Sequence, residues 1–296
     1  MATRLDVRSP AFFELVPRDA ELERVAGGFQ FTEGPVWRDG SLLFSDIPNS
    51  RTICWQESTE GFSVSTYRTP SGNANGLTLD CEGRLISCEH SARRVSRQET
   101  DGTYVTLADS YQGKKLNSPN DVVVRSDGTI YFTDPPYGVE DLGQEPDLDF
   151  RGVYMITSDG ILHLLIDDFD RPNGLAFAPD ERTLYVNDSR RRHIRAFAVR
   201  DDDTLDNYRL WTDMNSSDDG SPDGMKVDVN GNIYCTGPGA VWVMNPAGHV
   251  LGRIVGDEQP ANVAWGGEDW STLFVTARTS LYRIRLNTTG VPVPTP

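Results

Sequence analysis

A polar residue followed by a strand, a turn and a second strand recurs six times along this chain. That recurrence narrows the possible folds more than any other feature. The clearest copy runs from Asn120 through Val122-Val123-Val124, turns at Asp127-Gly128, and returns through Ile130-Tyr131-Phe132 to Asp134. Short runs of β-branched and aromatic residues broken at Asp-Gly read as a β-hairpin. Glu33, Asn75, Asn173, Asp223 and Asn262 open the other copies, and with Asn120 the start-to-start intervals are 42, 45, 53, 50 and 39 residues. Gly83, Gly128 and Gly231 stand eight residues after their leads and Gly40 stands seven after its own, whereas the fourth and sixth copies lack this glycine.

A period near 45 residues with at least two strands per unit fits propeller blades. One small sheet cannot bury both faces alone, so such units stack around an axis. Six copies therefore predict an all-β, six-bladed β-propeller with four-stranded antiparallel blades around a central channel. Thr52–Trp55, Ser63–Tyr67, Gly152–Ile156, Ile194–Ala198 and Val241–Met244 read as outer strands. Residues 21–290 form one domain in this reading, between an N-terminal extension (1–20) and a flexible, proline-rich tail (291–296). Glu21–Ala26 is expected to pair with Ser280–Leu286 and close the ring, removing an open edge. Residues 138–151 and 201–222 are insertions, and the first is placed beside the channel mouth as a lid or a solvated loop.

Inner strands of a propeller run roughly parallel, so the six leads would ring one mouth of the channel. Two carboxylates, Glu33 and Asp223, and up to four amide oxygens would meet there. Such hard donors suit Ca²⁺ or Mg²⁺, and no lead is a soft histidine or cysteine. Asn-Gly at 75–76 and 173–174 is ordinarily a turn signal, but here a strand follows each pair and the turn comes later. The returning strands are read to end at Asp46, His90, Asp134, Asp188, Gly237 and Arg278. Asn75, His90, Asp134, Tyr137 and Asn262 are candidate substrate contacts. A hydrogen-bonded structural role stays open for Asn75, His90 and Asn262, a core position for Tyr137, and a second cation for Asp134. Asp46 and Asp188 read as turn formers.

The formal net charge is −16 and no basic run exceeds Arg190-Arg191-Arg192, which argues against nucleic acid as a partner. The N-terminus lacks the apolar core of a signal peptide and no stretch approaches membrane-spanning length, so a cytoplasmic protein without a membrane partner is expected. The four cysteines have no metal-site spacing and are expected to be reduced. No nucleophile elbow, phosphate loop or zinc-protease signature is present, which leaves metal-assisted chemistry. Monomer and homodimer both stay open.

EGPVW at 33–37, NSPNDVV at 117–123, FTDPPYG at 132–138, RPNGLAF at 171–177 and SPDGMKVD at 221–228 together resemble the senescence marker protein/gluconolactonase family, whose animal member is regucalcin. The resemblance spans residues 29–286, and FTDPPYG is similar to the bacterial gluconolactonase branch. It implies a divalent cation in the channel, commonly Ca²⁺ with Mg²⁺, Mn²⁺ or Zn²⁺ as alternatives, and hydrolysis of a gluconolactone-like sugar lactone to the hydroxy acid. Carried over by motif, the metal ligands are Glu33, Asn120, Asn173 and Asp223. In the implied reaction the cation polarises the carbonyl, and Asp223 as general base, or metal-bound water, delivers the hydroxyl; direct attack by Asp223 is the alternative. The rival readings are a phosphotriesterase or esterase on the same metal and a non-catalytic calcium-binding propeller. Related organophosphate-hydrolysing propellers use a histidine near the tunnel, and residues 250–296 contain none.

Overall fold

A computed structural model describes residues 3–59, 61–206 and 208–293. It is a six-bladed propeller of antiparallel blades. Blade one consists of Thr32–Arg38, Ser41–Asp46, Arg51–Ser58 and Gly61–Arg68, in that order from the axis outward. The inner strands of blades two to six are Ala74–Leu79, Val122–Val124, Pro172–Phe177, Met225–Val227 and Pro260–Gly266. Each is followed outward by its hairpin partner, and every outer strand expected from sequence is present.

The blades hold together through apolar clusters lying in the gaps between them. Leu42, Phe44, Ile53 and Trp55 of blade one meet Ala264, Phe274 and Leu281 of blade six. Tyr131 and Val153 of blade three meet Leu175, Leu184 and Val186 of blade four. Similar clusters fill the other four gaps. Each fully buried large side chain contributes about 1.5–3 kcal/mol, so a blade is stable only between its neighbours.

The ring closes where the sequence predicts. Glu23–Gly27 pairs with Ser280–Arg285 and forms the outermost strand of blade six. The extension, however, is not loose. Arg4–Val7 adds a fifth strand to blade five against Val250–Val255, and Phe12 and Val16 enter the apolar cluster between blades five and six. Four residues of strand and one helical turn, Phe12–Leu15, are too short to show a period, which is why the sequence conceals them. The tail is likewise corrected over its described part. The Val291 amide donates to the Val227 carbonyl at 3.2 Å, and Val293 packs on the cluster between blades one and two. Residues 1, 2 and 294–296 lie outside the described residues.

The turns explain the two missing glycines. The residue eight after the lead has positive φ in five blades: Gly83, Gly128, Gly231, and, in the copies without glycine, Glu181 (φ 56°) and Trp270 (φ 56°). The backbone requirement persists although the residue that meets it most easily has changed.

Candidate active site at the channel mouth

The leads meet because of the residue that follows them. Gly34, Gly76, Gly174 and Gly224 each stand one position after a lead. A Cβ on Gly34 would lie 1.9 Å from the Asn75 carbonyl oxygen, on Gly76 2.5 Å from that of Asn120, and on Gly174 2.2 Å from that of Asp223. These glycines are contact points between adjacent blades rather than turns, and they let the backbones close tightly around the axis. Polar residues one position before the strand returns complete the seams. Ser45 Oγ donates to the Asn75 carbonyl at 2.7 Å, Thr133 Oγ1 to that of Asn173 at 2.9 Å and Thr236 Oγ1 to that of Ala261 at 2.7 Å; the Asn187 amide donates to the carbonyl of Asp223. The sequence reading passed over this series, although Ser, Thr or Asn before the return residue in FSD, FTD, VND and CTG is a visible signal.

Above these seams opens a cavity of about 380 Å³. Its floor is Glu33, Asn75, Asn120, Asn173 and Asp223. Asn75 Nδ2 donates to Asn120 Oδ1; Asn120 Nδ2 donates to Asn173 Oδ1 at 2.6 Å; Asn173 Nδ2 donates to Ser189 Oγ at 3.1 Å. The Asp223 carboxyl lies beside Asn173 and Glu33. Glu33 Oε2 accepts the Gly34 amide at 2.6 Å and Asn262 Nδ2 at 2.9 Å. The four candidate ligands are therefore side by side; Glu33, Asn120 and Asn173 are at most 5% exposed, and Asp223 is half-buried.

Burial strains the charges of this floor. Desolvation pushes Glu33 up to about 7, and holds Asp223 well above the ordinary carboxylate range, with the neighbouring charges of Glu33 and Asp121 adding to it. Among the described residues no arginine or lysine forms an ion pair with either group. Two buried acids without a cationic partner, faced by amide oxygens, make a donor set that fits a hard divalent cation, whose charge would cancel theirs.

The remaining candidates divide. His90 is buried and lines the cavity, with Nε2 3.3 Å from both Asn75 Nδ2 and Asn120 Oδ1; burial lowers its pKa to about 4, so the ring is neutral at physiological pH. Tyr137 also lines the cavity, on the short helix Tyr137–Asp141, and burial pushes its phenol up to about 12. Asn262 is buried beneath the floor and reaches Glu33 instead of the cavity. Asp134 is a correction: it does not line the cavity. Its Oδ2 accepts the Asn117 amide at 2.8 Å, inside blade three, and the group is fully buried.

His90 was placed as the end of a returning strand, and the register moves that role to Glu89, which pairs with Ala74 as Asp46 pairs with Thr32 and Asp188 with Pro172. Likewise Ala277, not Arg278, is the return residue of blade six. Bulges in the inner strands, as between Ala74 and Leu77, put simple counting out by one. The cavity also uses residues the sequence did not single out: Phe31, Ile47 and Pro48 on one wall, and Asp141, Ser189 and Ser221 on the other. Apart from Asp141, on the helix Tyr137–Asp141, they lie on connecting loops, and none carries a periodic signal. Asp121, one position after its lead, takes the place that glycine holds in four blades, and its buried carboxylate accepts the Val122 amide at 2.9 Å below the floor. All four cysteines are free thiols.

A family model described as the SMP-30/Gluconolactonase/LRE-like region matches residues 31–279. The chain belongs to this family. A gluconolactonase from Zymomonas mobilis is 33% identical, over 95% of this chain and 86% of its own length. A regucalcin from Xenopus laevis is 26% identical over 86% of this chain and 85% of its own. The solved structure of a gluconolactonase from Xanthomonas campestris superposes with a TM-score of 0.87 at 34% identity, covering 95% of this chain and 94% of that one. The family match spans all six leads and the loops that wall the cavity.

Proposed function

We propose that this protein is a lactone hydrolase that opens a gluconolactone-like sugar lactone to its hydroxy acid. The observation carrying this reading is the meeting of Glu33, Asn120, Asn173 and Asp223 on the floor of a cavity large enough for a single sugar ring. The gluconolactonase relatives at 33% and 34% identity support the reaction class. Glu33, Asn120, Asn173 and Asp223 would hold a divalent cation, Ca²⁺ or in its place Mg²⁺, Mn²⁺ or Zn²⁺; once bound it would polarise the lactone carbonyl and offset the charge of the two acids.

The chain's own groups supply the rest. Asp223, on the cavity floor, takes the proton of the attacking water as general base; the ring C–O bond then breaks and that proton passes to the departing ring oxygen. The floor amides surround its carboxyl: Asn173 lies beside it, held by Asn120 on one side and Ser189 on the other. Tyr137 keeps its proton at working pH and presents a hydroxyl donor on the wall. His90, neutral there, orients Asn75 and Asn120 and carries no charge through the cycle. Phe31, Ile47 and Pro48 shield one side of the ring from water.

The test assays five- and six-membered sugar lactones before chelation, after it, and after each of the four cations is restored. Calorimetric titration of the same cations into the apo protein provides a readout without substrate. Asn173→Ala and Asp223→Ala are expected to lose both cation binding and turnover while keeping the wild-type far-UV spectrum. Full activity in either variant overturns the assignment.

A further inference from the structure

Within the lactonase reading, on which this step rests, we propose that Asp141 restricts the site to lactones that carry no negative charge, turning away phosphorylated and carboxylated sugar lactones. Three observations lead to it. First, Asp141 lines the cavity, on the wall formed by the end of the helix Tyr137–Asp141. Among the described residues its carboxylate makes no hydrogen bond or ion pair. Its one resolved charged neighbour is Glu140, which is repulsive.

Second, no lysine or arginine lines the cavity. The nearest guanidinium on that side, Arg171, is already committed. It grips both Glu140 carboxylate oxygens at 2.8 Å and lies over the Tyr137 ring, 5.2 Å from its centre. A site for a phosphate or carboxylate would need such a group free and aimed inward.

Third, the Asp141 wall does not move aside easily. The Gly138 amide donates to Ser118 Oγ at 2.9 Å, and a Cβ at Gly138 would lie 2.5 Å from the His90 Cβ, so the helix is pressed against the site. The Glu140–Arg171 pair pins its other side to the loop entering blade four. A neutral polyol entering the cavity can donate hydroxyl hydrogens to the Asp141 carboxylate. An anionic substituent meets a like charge at the exposed rim with no basic side chain lining the cavity beside it, and discrimination of this kind works by repulsion. The product hydroxy acid is itself an anion, so the same charge favours its departure.

The experiment compares kcat/KM for glucono-1,5-lactone with that for its 6-phosphate, in the wild type, Asp141→Asn and Asp141→Lys, at low and high salt. The quantity read is the ratio of the two. The wild type is expected to favour the neutral lactone strongly. Asp141→Asn should narrow the ratio about tenfold and Asp141→Lys further, with the salt dependence of the ratio reduced in Asp141→Asn and reversed in Asp141→Lys, as for a screened charge. A ratio unchanged in both variants overturns the inference while leaving lactone hydrolysis standing. So does a wild type that opens both lactones equally. A folded, cation-loaded wild type that opens neither lactone overturns the lactonase reading and this inference together.

Discussion

The mouth of this propeller holds two sets of buried acids, and they live differently. Asp46, Glu89 and Asp188 close the returning strands. Asp46 accepts hydrogen bonds from the Gln30 amide, Asn49 and Arg51, while Asp188 accepts the amides of Asp170, Arg171, Arg190 and Arg191. Glu89 is gripped by Arg68, Arg94 and Ser96. Glu33 and Asp223, on the floor, have amide partners but no cation. Burial by itself would raise Asp46, yet its hydrogen bonds from Asn49, Arg51, Gln30 and Phe31 outweigh that and lower it, whereas Glu33 and Asp223 stay raised. A carboxylate whose charge is met by several donors is a fastener; one left wanting a positive charge is available for chemistry.

The sharpest way to break this contrast is Asp223→Asn. It should lower kcat by about 10²–10⁴-fold without lowering the thermal midpoint of the apo protein, because a strained charge has been removed; an active variant would erase the distinction. Asp46→Ala should do the reverse. Leaving several buried donors without an acceptor is expected to cost about 3 kcal/mol in urea unfolding, while kcat per folded molecule remains near wild type.

A third measurement uses pH on chelated protein. Glu33 has a folded pKa of about 7 against an ordinary 4.5, so the native state binds the extra proton between those values. Its contribution is therefore most favourable at low pH and is lost as pH rises from about 4.5 to about 7. Asp46, lowered by folding, contributes stability above its unfolded pKa that is lost as pH falls through the folded value. The Glu33 effect, on the order of 3 kcal/mol, should vanish when a divalent cation is added; persistence under saturating cation would place the ion elsewhere. The smallest expected effect belongs to Thr133→Val, which removes the hydroxyl bond to the Asn173 carbonyl. A loss of about 1 kcal/mol, with a higher KM rather than a lower kcat, would mark it as a seam that places Asn173.

Much of this was legible in the chain because repetition makes weak signals add. Six polar leads in one register predicted both the propeller and the floor, and Asn75, Asn120 and Asn173 do meet there. Asp134 misled because an acid at the end of a hairpin looks the same whether it faces a cavity or caps a strand; only the Asn117 amide distinguishes them. Phe31 and Ser221 were invisible because a wall made from separate loops has no period, whereas Asp141 lies in the 138–151 insertion expected beside the mouth. Asp121 was hidden for the opposite reason: its sequence neighbour Asn120 filled the slot the pattern asked for.

One feature of the ring reaches into biosynthesis. Glu23–Gly27 finds its partner only in Ser280–Arg285. A nascent chain must therefore carry that early strand, unpaired, past five successive hairpin sets before the last one emerges. The molecule is latched by an early strand and its last one, so no blade at either side of the latch can peel away without first opening it.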